Sequence, residues 1–138
     1  MTARSDSRAR QRGVAVIEFA LILPLFLTLV LGAIDWGWYF FIDQLVTNCA
    51  RESARAGTLL PPPPTSTPAQ AEAAAEQAGL TFLRRVNLTP RGVDADYTVV
   101  DGADAVLVTV TYPVGSLTGL LSSVMPANAR ATVVMRWQ

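Results

Sequence analysis

The residues from Val14 to Ile34 constrain this chain more than any others. They form a run of 21 positions, VAVIEFALILPLFLTLVLGAI, broken only by Glu18, Pro24, Thr28 and Gly32. At about 1.5 Å of rise per residue the run makes roughly 31 Å of helix, the thickness of a bilayer's hydrocarbon core. A soluble core helix would alternate polar and apolar faces over that length, and this one does not. The reading is a membrane-spanning helix. Pro24 removes one backbone hydrogen bond inside it, which predicts a kink or a local loosening. Membrane helices tolerate such a residue better than soluble ones.

Charge sets the topology. Arg4, Arg8, Arg10 and Arg12 precede the run and are opposed by the single acid Asp6. A basic cluster beside a spanning helix marks the cytoplasmic side, so the remainder of the chain is expected across the membrane. The cluster is read as a topology signal and not as a nucleic-acid arm, because no second basic cluster interleaved with aromatics follows it in the exterior part. Residues 1–13 are read as a short leader without regular structure. Asp35 marks the outer edge of the span. Trp36, Trp38 and Tyr39 follow it as anchors at the lipid–water interface.

The helix is expected to continue, since no proline separates Pro24 from Pro61. Phe41, Leu45, Cys49 and Ala50 recur at helical spacing, with Ile42 and Val46 widening the stripe. Gly57 is read as the stop, which gives one helix over residues 14–57, half in lipid and half amphipathic. Residues 58–68 hold PPPPTSTP, an extended linker or exposed loop. Residues 69–138 are read as a small exterior domain. Within it Ala69–Val86 forms a second helix, with Ala74, Ala78, Phe82 and Leu83 toward the core and Gly79 as a weak point. After Pro90 the periodicity changes to two. Asp96–Val100 and Ala105–Tyr112 form a hairpin across Asp101–Asp104, Ser116–Val124 a short helix, and Ala129–Trp137 a third strand. The fold class is α+β: a long N-terminal helix carrying a helix and a three-stranded antiparallel sheet.

Catalysis is not expected. The chain has no His, which removes the commonest general base and metal ligand. Its serines therefore have no base to serve them. The acids Asp94, Asp96, Asp101 and Asp104 lack the spacing of a calcium loop and read as turn residues. No metal and no cofactor is implied. Cys49 is the single cysteine, so packing alone must hold the domain.

Glu18 is the misplaced residue. A carboxylate in a membrane helix costs up to about 3 kcal/mol at the bilayer centre, less near the interface, and it is a functional hypothesis by default. It stands five positions after Gly13. A basic leader ending in Gly, then an apolar helix with Glu at its fifth residue, resembles the prepilin signal of type IV pilin-like proteins. That resemblance implies a membrane aspartic peptidase cutting between Gly13 and Val14. The cut exposes an ammonium on Val14 with a pKa near 8. In a staggered bundle Glu18 of one subunit can pair with that ammonium on its neighbour. The plain alternative is an ordinary signal anchor with a snorkelling Glu.

The wider pattern is similar to the TadE-like family, minor pilin-like (pseudopilin) proteins of tight-adherence, or Flp-type, pilus systems. The matching residues are the basic-Gly entry, Glu18–Leu21 with Leu23-Pro24, Asp35-Trp36, and the run Asn48-Cys49-Ala50-Arg51-Glu52-Ser53-Ala54-Arg55. The resemblance implies a non-catalytic subunit of the inner, cytoplasmic membrane. It would be single-pass, with a cytoplasmic N-terminus and an extracytoplasmic C-terminal domain. Its partners would be the membrane, a prepilin peptidase, other pilin-like subunits and the pilus assembly machinery. A second class is an uncleaved, membrane-anchored binding module outside the cytoplasm.

Overall fold

The computed structural model describes residues 5–137, with side-chain surroundings from Val14 onward. The side chains of Arg4, Arg8, Arg10 and Arg12 therefore lie outside the described residues. The elements are α1 (Ser5–Thr58), α2 (Pro68–Arg85), β1 (Val93–Val100), β2 (Ala103–Pro113) and β3 (Asn128–Arg136). The class is α+β, a long apolar N-terminal helix with a second helix and a three-stranded antiparallel sheet.

Helix α1 differs from expectation at its start. It begins at Ser5, so the backbone of residues 5–12 is helical where a structureless leader was expected. Arg and Ala are good helix formers, and a helix once nucleated extends at little cost. The helix passes unbroken through Pro24, and the Thr28 hydroxyl donates to the Pro24 carbonyl at 2.8 Å. At the far end Gly57 lies inside the last turn and is buried. The helix ends one residue beyond it, at Thr58, and a Cβ on Gly57 would sit 2.9 Å from the Ala71 carbonyl oxygen, so the glycine also permits a close helix crossing.

The connection between the helices is short. Its prolines are exposed, and Thr67 then caps α2. The Thr67 hydroxyl accepts from the Gln70 amide at 3.3 Å, and the Gln70 side chain accepts from the Thr67 amide at 2.9 Å. This reciprocal box satisfies two otherwise unpaired donors, with Pro68 suited to the first helical position. Asn87 closes the other end at φ +58°, and the Leu88 amide reaches back to the Leu83 carbonyl at 2.9 Å. That is a helix terminator with Asn in the left-handed position.

The sheet order is β1-β2-β3. Val100 pairs with Ala103, so the hairpin turn is only Asp101-Gly102. Both have positive φ, 52° and 78°, the conformation a two-residue turn demands of these residue types. Val106, Val108 and Val110 on β2 point inward and are fully buried, as the alternation predicts. The two helices cover this face. From α1 come Ile42, Val46, Cys49, Ala50 and Ala54, and from α2 come Ala71, Ala75 and Leu83.

Two predicted faces shift. Phe41, placed on the buried stripe of α1, is 54% exposed, and the stripe centres on Ile42 and Val46. On α2 the buried line is Ala71, Ala75, Gly79 and Leu83, while Ala74, Ala78 and Phe82 are only half-buried. Gly79 is the reason. A Cβ on it would stand 2.8 Å from a Val93 methyl and collide with the Ser53 hydroxyl, so the face with the missing side chain meets α1 and β1. A third expectation fails outright: Ser116–Val124 is a chain of turns and not a helix. Gly119 takes φ +77°, and the Ser116 and Thr118 hydroxyls accept local amides, which competes with helix formation.

Candidate functional site

The apolar part of α1 stands clear of the folded domain. None of its most apolar window is buried in the protein, and Val16, Ile17, Phe19, Leu21, Ile22 and Leu25 are all exposed. Burying such side chains is worth about 1.5–3 kcal/mol each, so a contiguous sleeve of them requires an apolar surrounding. It is one helix long and apolar enough to cross a membrane.

Gly13 is part of the α1 backbone, directly before Val14. Val14 and Glu18 are both exposed, one helical turn apart on the same side. Among the described residues neither a hydrogen bond nor an ion pair reaches Glu18.

The aromatic residues read as interface anchors lie on α1 just beyond the apolar run. Trp36 is exposed and packs edge-on against Tyr39, ring centroids 5.8 Å apart, and against Phe40 at 5.7 Å. Trp38 stacks on Phe41 at 5.7 Å. Trp38 and Tyr39 are half-buried against the core, so they also serve the domain. Phe40 and Phe41, exposed beside them, enlarge the aromatic cluster.

Asp35 was read as a boundary marker, and the structure gives it a second task. Its side chain is fully buried. It accepts the Ser116 hydroxyl at 2.7 Å, the Thr118 hydroxyl at 2.6 Å and the Thr118 amide at 3.0 Å. Burial pulls its carboxyl upward, but these hydrogen bonds to the ionised form outweigh that and hold it down at about 2. The carboxylate thus pins the β2–β3 connection, more than 80 positions away in sequence, to the foot of the domain. A lone acid at the end of an apolar run was the available signal. Its partners are Ser and Thr in an uncharged loop, which no spacing rule connects to it.

Arg51, Glu52 and Arg55 lie on the exposed face of α1. Cys49 is buried and donates to the Gly79 carbonyl across the helix crossing at 3.5 Å. Burial pushes this thiol up to about 11, against a smaller opposing pull from the Ser53 hydroxyl. Among the described residues no group of three or more His, Cys, Asp or Glu could hold a metal ion.

A small α+β domain on one exposed helix that is long and apolar enough to cross a membrane suggests a membrane-anchored protein. The family model described as TadE-like protein matches residues 13–55, which is the resemblance read from the sequence, over the same helix. The match takes in the Gly13 entry, Glu18, Asp35, the aromatic belt and the Arg51–Arg55 face, and ends before α2 and the sheet. That family suggests a protein associated with the tight-adherence (Tad) pilus. No curated protein and no solved structure matches the chain.

Proposed function

We propose that this chain is a minor pilin-like subunit, a pseudopilin, that takes part in assembling a tight-adherence pilus and catalyses nothing itself. A prepilin peptidase cuts it between Gly13 and Val14, and the helix that remains packs beside those of other pilin-like subunits. The protein sits in the cytoplasmic membrane, with the Arg-rich leader inside and the sheet domain outside. One observation carries this reading: Glu18 lies on the exposed apolar surface of α1, one turn from Val14 and five residues after Gly13.

Glycine costs about 1 kcal/mol relative to alanine inside a helix, so Gly13 is a weak point near the start of α1 at which a peptidase can open it. After cleavage the Val14 ammonium and the Glu18 carboxylate are opposite charges in a low-dielectric surrounding. Each is expensive alone, and pairing between staggered neighbours offsets part of both costs, whereas an unpaired charge bears its cost in full. The ion pair then favours the assembly over the isolated subunit.

Substituting Glu18 tests this directly. Glu18→Gln keeps shape and removes charge, and pilus formation on cells should fall to near zero while the protein still reaches the membrane. Normal piliation by the Gln variant would remove the pairing role.

A further inference from the structure

The connection between β2 and β3 runs from Val114 to Ala127, VGSLTGLLSSVMPA, and carries no charged residue. Its neck is closed where the Val114 amide donates to the Ala127 carbonyl at 2.9 Å. Met125 is buried beneath it. Outward it presents Leu117, Leu120 and Val124, which are 59%, 45% and 69% exposed. A long loop facing water would normally be polar, and exposed apolar groups in a cluster mark a contact surface.

The position of the loop identifies its surroundings. Asp35 is the first residue after the apolar run, and it holds Ser116 and Thr118. Leu121 packs against Gly32, its methyl 3.5 Å from where a Cβ would stand. Gly32 lies inside the run, about 3 Å of helix rise short of Ile34. The loop is therefore fixed at the depth where α1 leaves the span, and its leucines continue the exposed apolar surface of that helix. The opposite end of the domain is different in character. There the hairpin carries Asp101 and Asp104, and Trp137 caps the end of the helix connection by donating to the Leu60 carbonyl at 2.7 Å.

We propose that the β2–β3 loop is a second membrane contact, with Leu117, Leu120 and Val124 inserted into the interfacial layer of the bilayer beside α1. The Asp35 hydrogen bonds are what hold it at that depth. Two attachments at one level fix the tilt of the domain on the membrane, where a single helix would leave it free to pivot. The inference rests on the reading of α1 as a membrane anchor.

The test uses the full chain in phosphatidylcholine–phosphatidylglycerol vesicles. Single cysteines at Leu117, Leu120 and Val124 in a Cys49→Ala background are labelled with an environment-sensitive fluorophore. Cysteines at Val99 and Asp101 report the far end of the domain, and one at Leu25 reports the span. Lipid carrying a shallow nitroxide should quench the three loop positions by more than half, lipid carrying a deep nitroxide should quench position 25, and neither should change positions 99 and 101. Aqueous iodide should give the reverse order. Adding Asp35→Ala should lower the lipid quenching at the loop without changing it at position 25. Loop positions that behave like position 99, while position 25 is still quenched by lipid, would overturn the loop contact alone. Loss of lipid quenching at position 25 as well would overturn the anchor on which it rests.

Discussion

Gly79 offers a quantitative check on the packing of the exterior domain. Considered as helix chemistry alone, Gly79→Ala should stabilise the protein by about 1 kcal/mol, because alanine restricts the unfolded chain and suits the helix. The structure reverses the sign. The new methyl would meet a Val93 methyl at 2.8 Å and collide with the Ser53 hydroxyl. Val93 is held in place by its pairing with Val110 on β2, and Ser53 lies on the buried face of α1. Overpacking of this kind costs about 1–3 kcal/mol, and with two obstructions at once the upper part of that range applies. The net expectation is a loss of about 1–2 kcal/mol. In urea unfolding of the full chain in detergent, with a slope of about 1–2 kcal/mol per molar, the midpoint should fall by roughly 1 M. Val93→Ala in the same background should recover part of the loss by opening the site. A Gly79→Ala protein as stable as the parent or more so would refute the close crossing of α1, α2 and β1.

Further expectations concern Asp35 and Cys49. The Asp35 carboxyl is held below its ordinary value of 3.8, so its contribution to docking the loop is fully present above about pH 4. That contribution fades as pH falls through about 2. The Thr118 amide resonance should follow that titration with a midpoint near 2, and a midpoint near 4 would show that the hydrogen bonds are not formed. Cys49 is buried with its thiol pushed up to about 11, so the folded protein should resist maleimide at pH 8 and react only in denaturant. Rapid labelling of the native protein would contradict its placement in the core.

The legible and illegible parts of this chain divide by how local their determinants are. The span, the α1 extension, the hairpin and the third strand each depend on composition and period within about 10–20 residues, and sequence reading located them. The buried face of α2 did not follow, because a helix this rich in alanine offers several near-equivalent stripes. What selects Ala71, Ala75, Gly79 and Leu83 is the absence of a side chain at Gly79, which was weighed only as a helix weakness. The Ser116–Val124 segment misled for a related reason. Its leucine spacing suits a helix, but Ser116 and Thr118 are committed to Asp35 and Gly119 adopts a left-handed turn. At the candidate site, the placement of Val14 and Glu18 one turn apart on an exposed apolar helix was legible in the sequence. The dual role of Asp35 was not, since its partners are unremarkable in sequence and distant along the chain.

Glu18 gains its partner only if the chain is cut after Gly13. The direct measurement is the intact mass and N-terminal sequence of the protein extracted from its native membrane. The account predicts a chain lacking residues 1–13 and beginning at Val14. A mature protein that retains the Arg-rich leader, or that begins anywhere else, would contradict it.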